Sequence, residues 1–75
     1  MTNEKLKEQL EDLYGRIYAV CDDEGSDDAL CLLDDVCERE GLEDVSSRYF
    51  NEEDLTDEEA LALIEAFDIV LGEIE

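Results

Sequence analysis

Hydrophobic residues recur at helical spacing in the first part of the chain. From about residue 3 to residue 20, apolar positions follow one another at alternating steps of four and three, which places them on one face of an amphipathic helix. These positions are Leu6, Leu10, Leu13, Ile17 and Val20. Thr2 is the predicted N-cap. We expect this helix to end before the acidic residues 22–24.

A second helix is predicted after a break at residues 22–25. Ser26 is placed to cap it, and Asp27 and Asp28 suit the positive end of its dipole. The apolar stripe of this helix consists of Leu30, Leu33, Val36 and Cys37. Gly41 stands where a C-terminal glycine ends a helix.

A third long helix is predicted near the end of the chain. Thr56 and Glu59 have the spacing of a capping box, in which each side chain accepts a backbone hydrogen bond from the other residue. Its apolar stripe consists of Ala60, Leu63, Ile64, Phe67, Leu71 and Ile74. Residues 42–50 form either an irregular stretch or a short helical turn, with inward anchors at Leu42, Val45, Tyr49 and Phe50.

These patterns predict an all-α fold. No strand-like alternation, proline or hairpin signal interrupts the helical segments. Short connections favour antiparallel neighbours. We therefore expect residues 1–75 to form a single helical domain, a small antiparallel three-helix bundle with an optional short extra helix at about residues 43–50.

The charge of the chain is its most extreme feature. Five basic and 25 acidic residues give a formal net charge of −20. Residues 1–20 carry three basic and four acidic side chains, whereas residues 21–75 carry two and 21. Such a charge excludes phosphate backbones and anionic membranes as direct partners. Because the chain also lacks histidine, we expect no enzyme activity, no metal site and no cofactor.

In an α-helix each residue is rotated by about 100° from the one before it. This rotation places several acidic residues of the predicted second helix on one face, opposite its apolar stripe. We call this face the acidic ridge; it consists of Asp27, Asp28, Asp34, Asp35 and Glu38. Loop acids extend it at Asp22, Asp23 and Glu24. A second acidic cluster precedes and begins the last helix and consists of Glu52, Glu53, Asp54, Asp57 and Glu58. A net charge of about 2 to 8 suffices for solubility, so these thirteen acids are the predicted partner-binding residues.

The cysteines and the apolar segments bear on location. Cys21, Cys31 and Cys37 are odd in number and have no C-x-x-C spacing, which favours reduced, mostly buried thiols. No apolar run reaches the length of a membrane span, and no secretory signal is recognisable, so we expect a cytoplasmic protein. Leu32 and Ile69 lie off the apolar stripes. They either belong to a second buried face or anchor a partner or a homodimer.

Gly25, Ser26 and Asp27 invite comparison with the phosphopantetheine site of acyl carrier proteins, a family of similar size and acidity. The family has Asp-Ser-Leu at this site, whereas here glycine precedes the serine and two aspartates follow it. An N-cap role explains Ser26 without any modification. That resemblance would imply a carrier or adaptor module.

Two further resemblances concern inhibitors. The order of a long helix, an acidic second helix (residues 27–38) and a short aromatic-bearing segment ending in Arg48, Tyr49 and Phe50 resembles small immunity proteins that neutralise nuclease bacteriocins. In size and charge the chain resembles phage proteins that imitate DNA, the anti-restriction and anti-CRISPR inhibitors. The latter resemblance implies an inhibitor whose carboxylates stand in for phosphates in a basic nucleic-acid-binding cleft. Occupation of a nuclease exosite, as the former implies, is the alternative.

Overall fold

The computed structural model describes residues 3–74 and contains four α-helices in that range. Helix α1 spans Glu4–Glu24, α2 spans Asp28–Arg39, α3 spans Glu43–Phe50 and α4 spans Asp57–Ile74. Residues 3–74 contain no strand. The prediction of a small all-α bundle with a short extra helix near residues 43–50 is confirmed.

The core is built mainly on α4. This helix packs most extensively against α1, and α2 packs against both, while α3 lies on α2 and α4. Phe67 of α4 is fully buried together with Leu10 and Ile17 of α1. The Cα radius of gyration is 11.7 Å, close to the value of about 11 Å expected for a compact chain of this length.

The buried set is wider than the predicted stripes. Ala66 and Val70 of α4 are buried although they lie outside its predicted stripe, because this helix contacts all three of the others. Leu55, in the turn before α4, is also buried. Leu32 is half-buried against the core, as expected for a second buried face, whereas Ile69 is exposed.

The prediction that Phe50 points inward is wrong. Its side chain is 47% exposed. Helix α3 has only eight residues and buries Val45 and Ser46. Phe50 is its last residue, and its ring packs edge-on against the ring of Tyr14 while the rest of it faces solvent. Tyr49 and Leu42 are half-buried and pack against the core as predicted.

The expected break at residues 22–24 is also wrong, because these three acids form the last turn of α1. Helix α1 ends at Glu24, and the next residue, Gly25, adopts a left-handed conformation with φ 67°. The backbone N–H groups of Gly25 and Ser26 then both donate to the carbonyl oxygen of Cys21. Glycine sets this end because it enters the left-handed region without steric cost, whereas acidic side chains are tolerated inside a helix.

Helices α2 and α3 end in the same type of motif. Gly41 follows α2 with φ 72°, and the Leu42 N–H donates to the carbonyl of Cys37 at 2.7 Å. After α3 the corresponding position holds Glu52 with φ 60°, and the next N–H, of Glu53, donates to the carbonyl of Arg48 at 2.9 Å. Glu52 is the non-glycine residue with positive φ in the described part of the chain.

Side chains cap three helix N-termini. Asn3 caps α1 by accepting from the Lys5 N–H at 2.9 Å, while the predicted cap Thr2 lies outside the described residues. The N-cap position of α2 is Asp27, one residue later than predicted, and the Ser26 hydroxyl accepts from the Asp28 N–H at 3.1 Å in place of the Asp27 side chain. The capping box of α4 is confirmed, since Thr56 and Glu59 exchange backbone-to-side-chain hydrogen bonds of 3.0 and 3.1 Å.

Candidate partner-binding surface

The predicted partner-binding acids are exposed without exception. They are Asp22, Asp23, Glu24, Asp27, Asp28, Asp34, Asp35, Glu38, Glu52, Glu53, Asp54, Asp57 and Glu58. Among the described residues, ion pairs join only Arg16 to Asp12 and Arg48 to Asp44 and Glu59. None of the thirteen carboxylates takes part. No salt bridge within residues 3–74 therefore neutralises them, although the charge of Glu53 acts on Arg48 from a greater distance.

The acidic ridge runs along the exposed face of α2, whereas Leu33 and Cys37 of the same helix are buried. Asp34, Asp35 and Glu38 line a groove of about 430 Å³ between α2 and α3. We call this the α2–α3 groove. Glu43 lines its other side. Sequence reasoning missed Glu43 because the pairing of α3 with α2 is a tertiary contact.

The acids in the last turn of α1 adjoin the start of the ridge. Asp22 and Asp27 line the same depression over the α1–α2 turn, together with Tyr18. Residues 22–24 were expected in a loop beside the ridge. They lie instead in the last turn of α1, and Asp22 is next to the start of the ridge.

The second acidic cluster is divided. Glu52, Glu53 and Asp54 line another groove, of about 380 Å³, on the side of the molecule where α1 faces α3. Asp57 and Glu58 lie in the first turn of α4 and do not line it. We call this cavity the α1–α3 groove.

Residues of α1 complete the α1–α3 groove, and sequence reasoning missed them. Glu4, Lys7, Glu11 and Tyr14 follow one another at steps of three, four and three and line it together. That spacing is itself a helical stripe, so it was a readable signal. Three of its four residues are charged, whereas the predicted helix faces were identified from apolar residues.

The rings of the protein form one continuous cluster. The chain has three tyrosines, two phenylalanines and no tryptophan. Tyr14 lies at 6.2 Å from Tyr18, at 5.2 Å from Phe50 and at 6.3 Å from Phe67 between ring centroids. Tyr49 lies at 5.2 Å from Phe50 and at 5.9 Å from Phe67. The cluster thus extends from the centre of the core to the exposed ring of Phe50, which lines both grooves.

Arg48 ties α3 to the start of α4. Its guanidinium pairs with Glu59 and, at 3.2 Å, with Asp44. The hydrogen bond to Glu59 raises the pKa of Arg48, and the charges of Glu59 and Asp44 raise it further. For Glu59, the hydrogen bond from the Thr56 backbone lowers the pKa, and so does the bond from Arg48. These contacts fix the segment that carries Tyr49 and Phe50.

The thiols differ in their surroundings. Cys21 and Cys37 are buried, which confirms the prediction for these two, while Cys31 is exposed on the ridge side of α2. Burial raises the pKa of the Cys37 thiol, a hydrogen bond with Ser46 lowers it, and the charge of Asp34 raises it. Its position favours the neutral thiol over a reactive thiolate.

Residues 3–74 contain neither a metal-binding cluster nor a membrane-spanning helix. In this range no group of three or more cysteine, aspartate and glutamate side chains is placed to hold a metal ion. No helix there combines the length and the apolar character needed to cross a bilayer.

The fold and the surface define a small all-helical protein with a strongly acidic exterior. Comparison of the chain with protein-family models, with curated proteins and with solved structures found no match.

Proposed function

We propose that this protein inhibits a nucleic-acid-handling protein, such as a nuclease, by presenting its acidic surface to the basic cleft of the target. One observation carries the proposal: all thirteen predicted acids are exposed, and none forms an ion pair with a described residue. Carboxylates without internal partners are available to the lysines and arginines of a target. The target would then be unable to admit its nucleic acid.

The dimensions of the ridge support this mechanism. The twelve residues of α2 span about 18 Å, which matches about five steps of a DNA duplex. Carboxylates at both ends of α2 and across the α2–α3 groove widen the charged area beyond a single row. Opposite fields of this kind accelerate encounter and make association sensitive to salt.

The proposal is tested by competition in the cytoplasm-derived lysate of the source host. The immobilised protein captures its target, excess duplex DNA is added, and the displaced proteins are identified by mass spectrometry. We expect DNA to displace a protein with a basic nucleic-acid-binding cleft, because inhibitor and DNA would occupy the same surface. Capture of a target that DNA leaves in place would contradict mimicry.

Charge reversal locates the interface. The triple change Asp27→Lys, Asp34→Lys and Glu38→Lys should abolish capture of the target, while circular dichroism shows unchanged helical content. Glu8→Lys, Asp68→Lys and Glu73→Lys form the matched control. They alter the net charge equally at exposed positions that line neither groove. We expect the control to retain most of the binding, and equal losses in both variants would remove the ridge from the interface.

A second candidate function is exosite inhibition of a nuclease, as the resemblance to immunity proteins implies. The observation that favours it is the short helix α3, which follows the acidic α2 and carries Tyr49 and the exposed Phe50 at its end. An exosite inhibitor would block the nuclease activity of its target while the target still binds DNA. The competition experiment separates the two functions.

A further inference from the structure

The α1–α3 groove exists because the two helices flanking it do not touch through their backbones. Within the described residues, no Cα atom of α3 lies within 8 Å of a Cα atom of α1. Side chains span the gap instead, above all the edge-to-face pair of Tyr14 and Phe50. The resulting groove of about 380 Å³ lies in the size range of pockets that receive small ligands or single side chains.

Aromatic rings form one wall of this groove. Tyr14, Tyr49 and Phe50 all line it, and Phe50 contacts both tyrosines at 5.2 Å. Tyr14 and Tyr49 also contact the fully buried Phe67, so the wall is continuous with the core. The nearly half-exposed ring of Phe50 therefore offers an apolar surface, and its position is held by packing against Tyr14 and Tyr49.

Carboxylates form the rim. They are Glu4, Glu11, Glu52, Glu53 and Asp54, against the single base Lys7. Burial raises the pKa of the Tyr49 hydroxyl, and the negative charge of Glu11 raises it further. The groove thus combines ring surfaces with negative potential, which is the environment that attracts an organic cation.

Arginine fits this combination better than lysine. A guanidinium group is planar and weakly hydrated, stacks on ring faces and donates in a fork to carboxylates. An ammonium group is compact and strongly hydrated, so it gains charge attraction but loses more on leaving water. A groove with carboxylates but no rings would distinguish the two less, because stacking on a ring would no longer favour arginine.

We propose that the α1–α3 groove receives an arginine side chain of the partner protein, stacked on Phe50 and paired with the carboxylates of the rim. This inference rests on the proposed function, since it assumes a basic protein partner. It adds a specific contact to an otherwise diffuse electrostatic surface. In such an interface a few well-packed aromatic and arginine side chains carry most of the binding energy.

The test uses two short peptides, one of alternating glycine and arginine and one of alternating glycine and lysine, at equal charge and ionic strength. Binding to the full chain is followed by amide chemical shifts. We expect the arginine peptide to bind about three-fold more tightly. Its shifts should concentrate at Tyr49, Phe50 and Glu53, whereas those of the lysine peptide should spread over the acidic surface.

Two ring-removing variants give the matched comparison. Phe50→Leu keeps an apolar side chain but removes the ring, and should reduce the arginine preference, because only the other groove residues then favour arginine. Tyr18→Leu removes the other exposed ring of the cluster, which does not line the groove, and should keep the preference. Circular dichroism and melting temperature verify that both variants are folded.

Two lysine variants address the rim. Lys7→Gln removes the cation that lines the groove and should strengthen binding of the arginine peptide more than Lys5→Gln, which changes the net charge equally from outside the groove. Equal affinity of the two peptides for the wild type, or an arginine preference that is undiminished in Phe50→Leu, would overturn the inference. Failure of the DNA competition described above would instead contradict only the proposed function, because the peptides probe the groove without the target.

Discussion

At the scale of single residues, Glu59 differs from the exposed acids of the surface. It accepts the Thr56 N–H at 3.0 Å and pairs with Arg48, and these contacts lower its pKa below the ordinary value of 4.5. A lowered pKa in the folded state means that the ionised form stabilises the protein. This contribution is present above pH 4.5 and is lost as the pH falls through the lowered value.

Glu59→Gln isolates the contribution of the charge, because glutamine retains an oxygen that accepts the Thr56 N–H. We expect the wild type to be more stable than this variant above pH 4.5, and the difference to shrink as the pH is lowered further. Urea unfolding at fixed ionic strength and a series of pH values measures it. Glu8→Gln, which removes an exposed carboxylate without a described partner, controls for the loss of one negative charge. A wild-type advantage that is independent of pH would contradict the assignment.

The sequence predicted only half of what surrounds Glu59. The capping box is local, because Thr56 and Glu59 are three residues apart and their spacing alone sets the hydrogen bonds. Arg48 is eleven residues from Glu59. Their contact depends on how α3 packs against α4, which no local pattern specifies.

At the scale of elements, the ends of α1 and α4 place acids in opposite fields. Asp23 lies in the last turn of α1, which contains no basic residue, whereas Asp57 lies in the first turn of α4. The helix dipole is negative at the former position and positive at the latter. An aspartate is therefore unfavourable at position 23, at the end of α1, and favourable at position 57, at the start of α4.

Asp23→Asn and Asp57→Asn make the same chemical change at these two ends. Each relieves general repulsion to a similar degree, so the difference between the variants reports the dipole. We expect Asp23→Asn to be more stable than Asp57→Asn by about 1 kcal/mol at low salt. Chemical denaturation measures the difference, and a reversed order would show that local side-chain contacts outweigh the dipole.

Helix positions were predicted better than helix partners. Apolar spacing fixes which face of α1 or α4 is buried, and Gly41 marked the end of α2 correctly. Tyr14 and Phe50 are far apart in sequence, and their contact follows from the way the helices are assembled. The aromatic cluster and the pairing of the two walls of the α1–α3 groove therefore had no local signature, although the α1 stripe that lines the groove and the thirteen acids did.

At the scale of the whole molecule, charge opposes folding. The extents of the protein are 35 × 23 × 21 Å, and its net charge is −20. The Debye length is about 30 Å at 0.01 M salt, so at that concentration most carboxylates repel one another across the molecule. Compactness is maintained against this repulsion by the core around Phe67.

Sodium chloride should therefore raise the melting temperature. We expect a rise of about 5 °C, which corresponds to about 1 kcal/mol for a chain of this size. Most of it should occur between about 0.01 and 0.1 M, where the Debye length falls from about 30 to 10 Å. Thermal unfolding followed by circular dichroism measures it. A rise confined to concentrations near 1 M would indicate a specific ion effect in place of screening.

Glu52 shows how stability and charge compete within one residue. Its backbone is left-handed, a conformation that Gly25 and Gly41 occupy after α1 and α2. Glu52→Gly should raise the free energy of unfolding by about 1 kcal/mol more than Glu52→Gln, which relieves the same charge repulsion but keeps a side chain in the left-handed region. In a library randomised at this position, selection for folding alone would enrich glycine, while selection for partner binding would retain the acid. The position would then mark where natural selection favoured affinity over stability.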